Sequence, residues 1–269
     1  MSESGENQPI DSQSLLRFIK THVQEVNINA KQNGLPAAVK EQLQKVGINV
    51  VPDYSPDAKL SLINDPVLVV ATHPHLINDI FGILSSIPSE RRDVHVTGHA
   101  MHLKLGGEIA NQIIPIYNVN DQPTNNLREM IRRKLLGRDR PIEALTKYES
   151  AKANVRSLQN AASIVNEGGM VIVFPDGSQE NGAEWMTGVG KLVQDIHNPD
   201  AKVIFAKTQG GEWRNRARVF SSKTKKFLGG ADLRVGFSEP HSISEYSGKS
   251  QSKQNITGNL RSQYDKFSV

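Results

Sequence analysis

The chain has 269 residues, of which 37% are hydrophobic and 22% are charged, and its formal net charge is +4. This length suits one domain with a real core, with room for a helical addition. The sequence contains no cysteine, which excludes a disulfide framework, a thiolate zinc site and a cysteine nucleophile. The mild basic excess fits an acidic partner, such as an anionic membrane, an acidic carrier protein or nucleic acid.

The amino-terminal region is predicted to be a tail followed by helices. Residues 1–12 are polar and terminal, so we expect them to be disordered. They lack the basic and then apolar pattern of a signal peptide. SQSLLRFIKTHVQEV places apolar residues at helical spacing, and LPAAVKEQLQKVG predicts a second helix between Pro36 and Gly47. With the extended stretch INVVPDYSP, residues 13–60 are expected to form a helical preface to a main domain at 61–269.

Strands and helices alternate along the main domain. The predicted strands are VLVVAT, VHVTGH, IIPIYNV, MVIVFP, AKVIFAKTQ and ADLRVGFSEP. Helices are predicted at NDIFGILSSI, LGGEIANQI, 125–136, 142–166, GVGKLVQDIH and NITGNLRSQYDKF, and SISEYSGKSQSKQ is predicted to be a linker. Strands that alternate with helices indicate an α/β fold, in which helices flank a mixed, largely parallel sheet.

The apolar runs are short. PVLVVA and GGMVIVFP are the longest of them and have the length of strands, whereas a membrane-spanning helix needs roughly 18 apolar residues or more. We therefore expect a cytoplasmic protein, either in solution or bound peripherally to the inner face of the membrane.

Two loops that follow apolar strands carry the residues that are candidates for catalysis or binding. THPHLIND follows VLVVA, and FPDGSQENG follows VIV; in open α/β sheets, sites form at such carboxyl ends of strands. In the first loop, His73 could act as a general base whose ring is oriented by Asp79. His75 and Asp79 form a rival pair. The alternative without function is that Asp79 caps the following helix and the histidines are polar loop residues.

A metal site is a second possibility for the same loop. His73 and His75 could place two imidazoles on one ion, and His99, His102 and Asp176 could add ligands. The protein would then be a metal-dependent hydrolase. The segment VHVTGHAMH fits equally well with a strand, a turn and solvated imidazoles, so the local sequence leaves both interpretations open.

The two loops together resemble the glycerolipid acyltransferases, the superfamily of lysophosphatidate and glycerol-3-phosphate acyltransferases. The first block of that family is Asn-His, four residues and Asp; here Thr72 precedes His73, and Asp79 follows after five residues, a spacing found in some branches. The third block, Phe-Pro-Glu-Gly-Thr, reads FPDGS at 174–178 here, and a helix start, WMTGVGKLV, follows it.

The resemblance implies direct acyl transfer from acyl-CoA or an acyl carrier protein thioester to a hydroxyl of a glycerol-phosphate or lysolipid acceptor, as in phospholipid biosynthesis. His73 would be the general base and Asp79 would orient it, with no covalent intermediate, metal or cofactor. The substrate-binding residues that it implies are Asn118, Asp176, Gly177, Ser178, Gly188 and Lys191.

This chain also departs from the family pattern. Asn118, after LGGEIANQIIPIYN, stands where the second block usually has arginine, and Gln179 stands where the third block often has one. In the family, these arginines help to hold the acceptor's phosphate. The fourth block, VIFAKTQGG, lacks its proline. Lys104, Arg128 or Lys191 could supply the missing charge, and a degenerate member that binds lipid without turnover is a further alternative.

Two basic stretches are candidates for docking. One cluster spans Arg128–Arg140 and the other Arg214–Lys226. Each could bind an anionic membrane, at about 1 kcal/mol per basic residue, or an acidic carrier protein or the phosphates of CoA. Solvated surface is the alternative for both. Nucleic-acid binding is not expected, because no nucleic-acid module is visible and only 6% of the residues are aromatic.

Overall fold

The computed structural model describes residues 12–45, 47–72, 77–117, 145–177, 184–210, 231–247 and 251–269. Its helices are α1 (Ser12–Asn33), α2 (Leu35–Lys45), α3 (Pro56–Asn64), α4 (Ile77–Ser86), α5 (Gly107–Asn111), α6 (Lys147–Asn166), α7 (Gly188–Asp195) and α8 (Lys253–Lys266). The strands are β1 (Ile48–Asp53), β2 (Val67–Ala71), β3 (Val94–His99), β4 (Ile113–Ile116), β5 (Met170–Val173), β6 (Lys202–Gln209), β7 (Ala231–Phe237) and β8 (His241–Ser242). Short 3-10 helices occur at Ala100–Leu105 and Ile243–Glu245.

The strands form one mixed sheet in the order β1-β7-β6-β2-β5-β3-β4, with β8 beside β6. Strands β6, β2, β5, β3 and β4 are parallel to one another. Strand β7 runs antiparallel to β6, and β1 is parallel to β7. The predicted α/β class with a mixed, largely parallel sheet is therefore confirmed.

Helices cover both faces of the sheet. Strand β2 is central, and all five of its side chains are buried. Val67, Val69 and Ala71 belong to the core that also contains side chains of α1, α2 and α4. Leu68 and Val70 point the other way, into the core formed with α6, α7 and α8. This alternation is the period of two expected for a strand buried on both faces.

The amino-terminal segment contributes to the sheet as well as to the helical layer. Helix α2 packs on α4, and β1 pairs with β7 in a register that sets Ile48 beside Ala231. Helix α3 was not predicted from the sequence, in which INVVPDYSP was expected to be extended as far as Pro56. Pro56 instead occupies the first turn, where no N–H is needed, and the Ser55 side chain accepts a hydrogen bond from the Ala58 N–H.

The prediction of a linker after β7 is wrong for the first part of that segment. Residues 241–245 form β8 and a 3-10 helix. Ile243 and Tyr246 are buried in the core, and the Tyr246 ring packs edge-on against Phe205 at 6.5 Å between centroids. The two apolar residues anchor a serine-rich segment whose composition alone suggested a loop.

Two helix predictions differ in outcome. The predicted helix at 125–136 lies outside the described residues. The one predicted at 142–166 is observed from Lys147, after a capping box in which Thr146 and Glu149 exchange hydrogen bonds. Across the residues that the structure describes, no helix is both long and apolar enough to cross a membrane.

Candidate functional site

The two motif loops leave the sheet side by side. Strands β2 and β5 are parallel neighbours, with Val70 beside Val173. Thr72 and Phe174 therefore both follow the carboxyl ends of strands, which together form the carboxyl edge of the sheet; the amino ends form its amino edge. The Phe174 N–H donates to the Thr97 hydroxyl of β3 at 3.4 Å. The chain therefore brings its first and third motifs together at the edge where sites form in α/β sheets.

Asp79 lies in the first turn of α4 and is fully buried. The hydroxyl of Thr208, near the end of β6, donates a hydrogen bond to its Oδ1. Because a buried carboxylate is costly without donors, this bond helps to keep Asp79 in one orientation. The amino end of α4 also favours a negative charge at this position. Asp79 is thus held between a helix start and the strand that flanks β2.

Asp176 is the buried carboxylate of the second loop, with a residue exposure of 5%. Gly177 follows it with φ of +52°, in the left-handed region that favours glycine. A Cβ at Gly177 would lie 2.6 Å from the Met186 Cε. The Met186 N–H donates to the Pro175 carbonyl at 2.9 Å. The turn after β5 is therefore fastened to the segment that begins α7.

Tyr264 of α8 reaches the same edge of the sheet from the carboxyl-terminal helix. Its hydroxyl is 2.6 Å from the Thr72 Oγ1. Its ring lies 5.3 Å from the Trp185 ring, between centroids, and the Lys207 Nζ sits 4.6 Å from the ring centroid. Lys207 also donates a hydrogen bond to the Phe267 carbonyl at the end of α8.

The pKa of Tyr264 reflects its buried position. Burial raises the pKa of Tyr264, and the negative charges of Asp176 and Asp79 raise it further, against the lowering effect of its hydrogen bonds with Thr72. The phenol is therefore neutral near pH 7. Burial also lowers the pKa of Lys207, although the charge of Asp265 opposes that shift.

The remaining residues predicted from the sequence fall into two groups. Gly188 is the first residue of α7, where a Cβ would lie 3.2 Å from a Leu158 methyl group of α6. Lys191 forms an ion pair with Asp195 one turn later. The second group lies outside the described residues: it comprises His73, His75, Asn118, Ser178, Gln179, Arg128–Arg140 and Arg214–Lys226.

The alternative metal ligands are also partly described. His99 ends β3 and His102 lies in the following 3-10 helix, and their rings meet edge-on with centroids 6.5 Å apart. Within the described part of the chain, no group of three or more His, Asp or Glu side chains could hold a metal ion. His73 and His75 are not among those residues.

Sequence reasoning missed Thr208 and Tyr264 as components of this edge. The spacing of Ile256, Leu260 and Tyr264 predicts a buried helix face, and all three are buried. That spacing does not identify the strand against which the helix packs. Thr208 lies in a predicted strand, but its partner Asp79 is 129 residues away in the chain.

Comparison with known proteins gives a distant structural similarity. Neither protein-family models nor curated proteins match the chain. Among solved structures, the 1-acyl-sn-glycerophosphate (LPA) acyltransferase PlsC from Thermotoga maritima is similar, with 12% sequence identity and a TM-score of 0.44. The similarity covers 97% of this chain and 86% of that chain. At this level of similarity, the function has to be argued from the residues of the site.

Proposed function

We propose that this protein is an acyltransferase. It moves a fatty acyl group from the thioester of acyl-CoA or an acyl carrier protein to a hydroxyl of a glycerol-phosphate or lysolipid acceptor. His73 is the general base and Asp79 orients it. The proposal combines the resemblance of the two motifs to the glycerolipid acyltransferases with the arrangement of the residues around them.

One observation carries the proposal. The loops that resemble the first and third blocks are about a hundred residues apart in the sequence, yet β2 and β5 are adjacent. Asp79 and Asp176 are both buried, and each follows the carboxyl end of one of these two strands. A chance match of two short motifs would not require both to begin at adjacent strand ends, each with a buried carboxylate. Such adjacency is what a shared site requires.

The chemistry balances without an additional reactant. His73 takes the proton of the acceptor hydroxyl as its oxygen attacks the thioester carbonyl. The carbon–sulfur bond breaks, and the departing thiolate takes up the proton, which leaves an ester and a free thiol. Backbone N–H groups around Gly177 or at the start of α7 would stabilise the oxyanion. Asp79 would fix the tautomer of His73 and stabilise its charged form.

The positive charge that would bind the acceptor's phosphate is a separate part of the proposal. Lys104, Arg128 or Lys191 would supply the contact with the acceptor's phosphate, and Lys191 also pairs with Asp195. Lys104 is exposed in the 3-10 helix after β3. The clusters Arg128–Arg140 and Arg214–Lys226 would bind an anionic membrane surface or an acidic carrier protein, which is consistent with a cytoplasmic enzyme that works at the membrane.

The test is acceptor-dependent release of thiol. Purified protein in EDTA would be given palmitoyl-CoA or a palmitoyl carrier protein, with glycerol-3-phosphate, lysophosphatidate, a mixed lipid extract or no acceptor. We expect release only with an acceptor, and a loss of roughly 10²- to 10⁴-fold in H73A. H75A separates the rival pair, and H197A is a matched control at an exposed histidine.

Two results would contradict the proposal in different ways. Hydrolysis that appears when zinc or manganese replaces EDTA, with bound metal lost in both H73A and H75A, would establish the metal-dependent hydrolase instead. Lipid binding without thiol release from either donor would identify a degenerate member. Metal analysis of the wild type and of both variants distinguishes these results.

A further inference from the structure

The carboxyl-terminal helix brings a hydroxyl group to the end of β2. Thr72 is the first residue after β2, and its Oγ1 lies 2.6 Å from the Tyr264 hydroxyl oxygen. The two residues are 192 positions apart in the chain. In the family pattern, the residue before the histidine is asparagine, and Thr72 stands there in this chain. The hydrogen bond therefore joins α8 to the residue that directly precedes the proposed base.

The Tyr264 ring is fixed on several sides, so its hydroxyl has a defined position. The ring of Trp185, from the segment before α7, packs at 5.3 Å and that of Phe205, from β6, packs edge-on at 6.1 Å between centroids. Lys207 places its Nζ 4.6 Å from the ring centroid. These contacts involve the ring alone, and phenylalanine would satisfy most of them. The hydroxyl makes a different contact, with Thr72.

We propose that Tyr264 is a positioning residue of the site, which acts through its hydrogen bond to Thr72 on the end of β2 and hence on His73. The inference rests on the proposed acyl transfer. The hydroxyl contributes geometry to the reaction, and the ring contributes packing to the core. The base acts on a substrate oxygen, so a small displacement of the strand end lowers the turnover rate.

A second buried tyrosine provides a matched comparison. Tyr246 also packs edge-on against the Phe205 ring, at 6.5 Å between centroids. It follows β8, which pairs with the amino end of β6 at Lys202 and Val203. Replacement of either tyrosine by phenylalanine removes the hydroxyl of a buried residue whose ring packs on Phe205. The Tyr264 replacement also removes the hydrogen bond to Thr72, where the motif loop begins.

The experiment measures kcat and KM for Y264F, T72V, T72S, the double variant Y264F/T72V and Y246F in the thiol-release assay. We expect kcat to fall about tenfold in Y264F and T72V with KM within about twofold, since a misplaced reacting group can cost roughly 10²-fold. T72S keeps a hydroxyl and should retain most of the activity. The double variant should be no slower than T72V, because the two hydroxyls act through one bond. Y246F should keep the wild-type kcat.

Three outcomes overturn the inference, and they are distinguishable. An active wild type whose Y264F variant keeps its kcat, or loses no more than Y246F does, overturns the role of Tyr264 alone. A wild type that transfers no acyl group overturns the proposed function and this inference with it. Imidazole NMR gives a readout without turnover: the resonances of His73 should change in Y264F and T72V, whereas those of His197 should not. Unchanged His73 resonances in both variants would also overturn the inference.

Discussion

Asp79 and Arg91 are both buried charged residues, but they lie at opposite edges of the sheet and have different kinds of partners. Asp79 is at the carboxyl edge, where its described hydrogen-bond donor is the side-chain hydroxyl of Thr208. Arg91 is at the amino edge, in the loop before β3. Its described partners are mostly backbone carbonyl groups. The comparison is between a buried charge bound mostly by backbone carbonyls and one that accepts from a side-chain hydroxyl.

The contacts of Arg91 link the loops that precede three strands. Its guanidinium donates to the carbonyls of Ile63 at 3.2 Å, Asp65 at 2.7 Å and Gly168 at 2.7 Å. Its Nε lies 2.6 Å from the Asp93 carboxylate. A guanidinium is always charged and presents several donors in a fixed geometry. Arg91 therefore fixes the starts of β2, β3 and β5 relative to one another.

The partners at the carboxyl edge differ in kind. Two contacts there are between side chains. Thr208 donates to Asp79, and the hydroxyls of Thr72 and Tyr264 are hydrogen-bonded. Each contact joins elements that are distant in the sequence. Side-chain hydroxyls and carboxylates can exchange protons with a reacting group, whereas backbone carbonyls cannot. The proposed acyl transfer assigns catalysis to the carboxyl edge, the contacts of Arg91 assign rigidity to the amino edge, and the variants below test that division.

The largest effect is expected at Asp79. D79N preserves the shape of the side chain and its capacity to accept from Thr208, but it removes the charge that would stabilise protonated His73. We expect kcat for acyl transfer to fall by roughly 10²- to 10⁴-fold, as for the loss of an acid–base group. Urea unfolding monitored by circular dichroism should give a folded protein with a cooperative transition.

Thr208 offers a graded control for that prediction. T208V removes the donor and keeps the carboxylate, so we expect a smaller loss of about tenfold in kcat, while T208S should retain most of the activity. If T208V were as inactive as D79N, the charge of Asp79 would not be the important feature. If D79N kept its activity, the orienting role of Asp79 would be wrong.

The second effect is a loss of stability at Arg91. R91M keeps much of the apolar stem but leaves the carbonyls of Ile63, Asp65 and Gly168 without their donor. We expect the free energy of unfolding to fall by roughly 3 kcal/mol or more, measured by denaturant titration. The kcat of the folded fraction should stay near that of the wild type.

Arg92 is the matched control, because it is the adjacent arginine and is exposed. R92M should change the free energy of unfolding by no more than about 0.5 kcal/mol. Equal destabilisation by both variants would show that the backbone contacts of Arg91 contribute little. A large fall in kcat for folded R91M would contradict the division between the two edges.

The sequence predicted the elements better than the contacts between them. Apolar runs such as VLVVA identified β2 and β5, since strands buried on both faces are recognisable from local composition. The polar residues at their ends identified Asp79 and Asp176 as candidates. The partners Thr208 and Tyr264 could not be predicted, because which helix packs on which strand depends on tertiary packing. Helix α3 was missed for a local reason, the double role of proline as a breaker and as a first-turn residue.

The smallest effect concerns His95 of β3 and the pH dependence of stability. Burial lowers the pKa of His95, while the charge of Asp93 opposes the shift. The unfolded chain therefore takes up this proton at a higher pH than the folded protein does. The pKa of histidine in an unfolded chain is about 6.5. The unfolded state binds more protons below that pH, so the contribution of His95 to stability is fully present above it and is lost as the pH falls.

H95Q removes this titration. We expect the free energy of unfolding of the wild type, minus that of H95Q, to fall as the pH is lowered from about 7.5 to about 5.5. A wild-type minus H95Q difference that stays constant or rises on acidification would mean that His95 is as easily protonated in the folded protein as in the unfolded chain. The start of β3 would then accept a positive charge on His95 in the folded protein, and the rigidity of the amino edge would depend on the backbone contacts of Arg91.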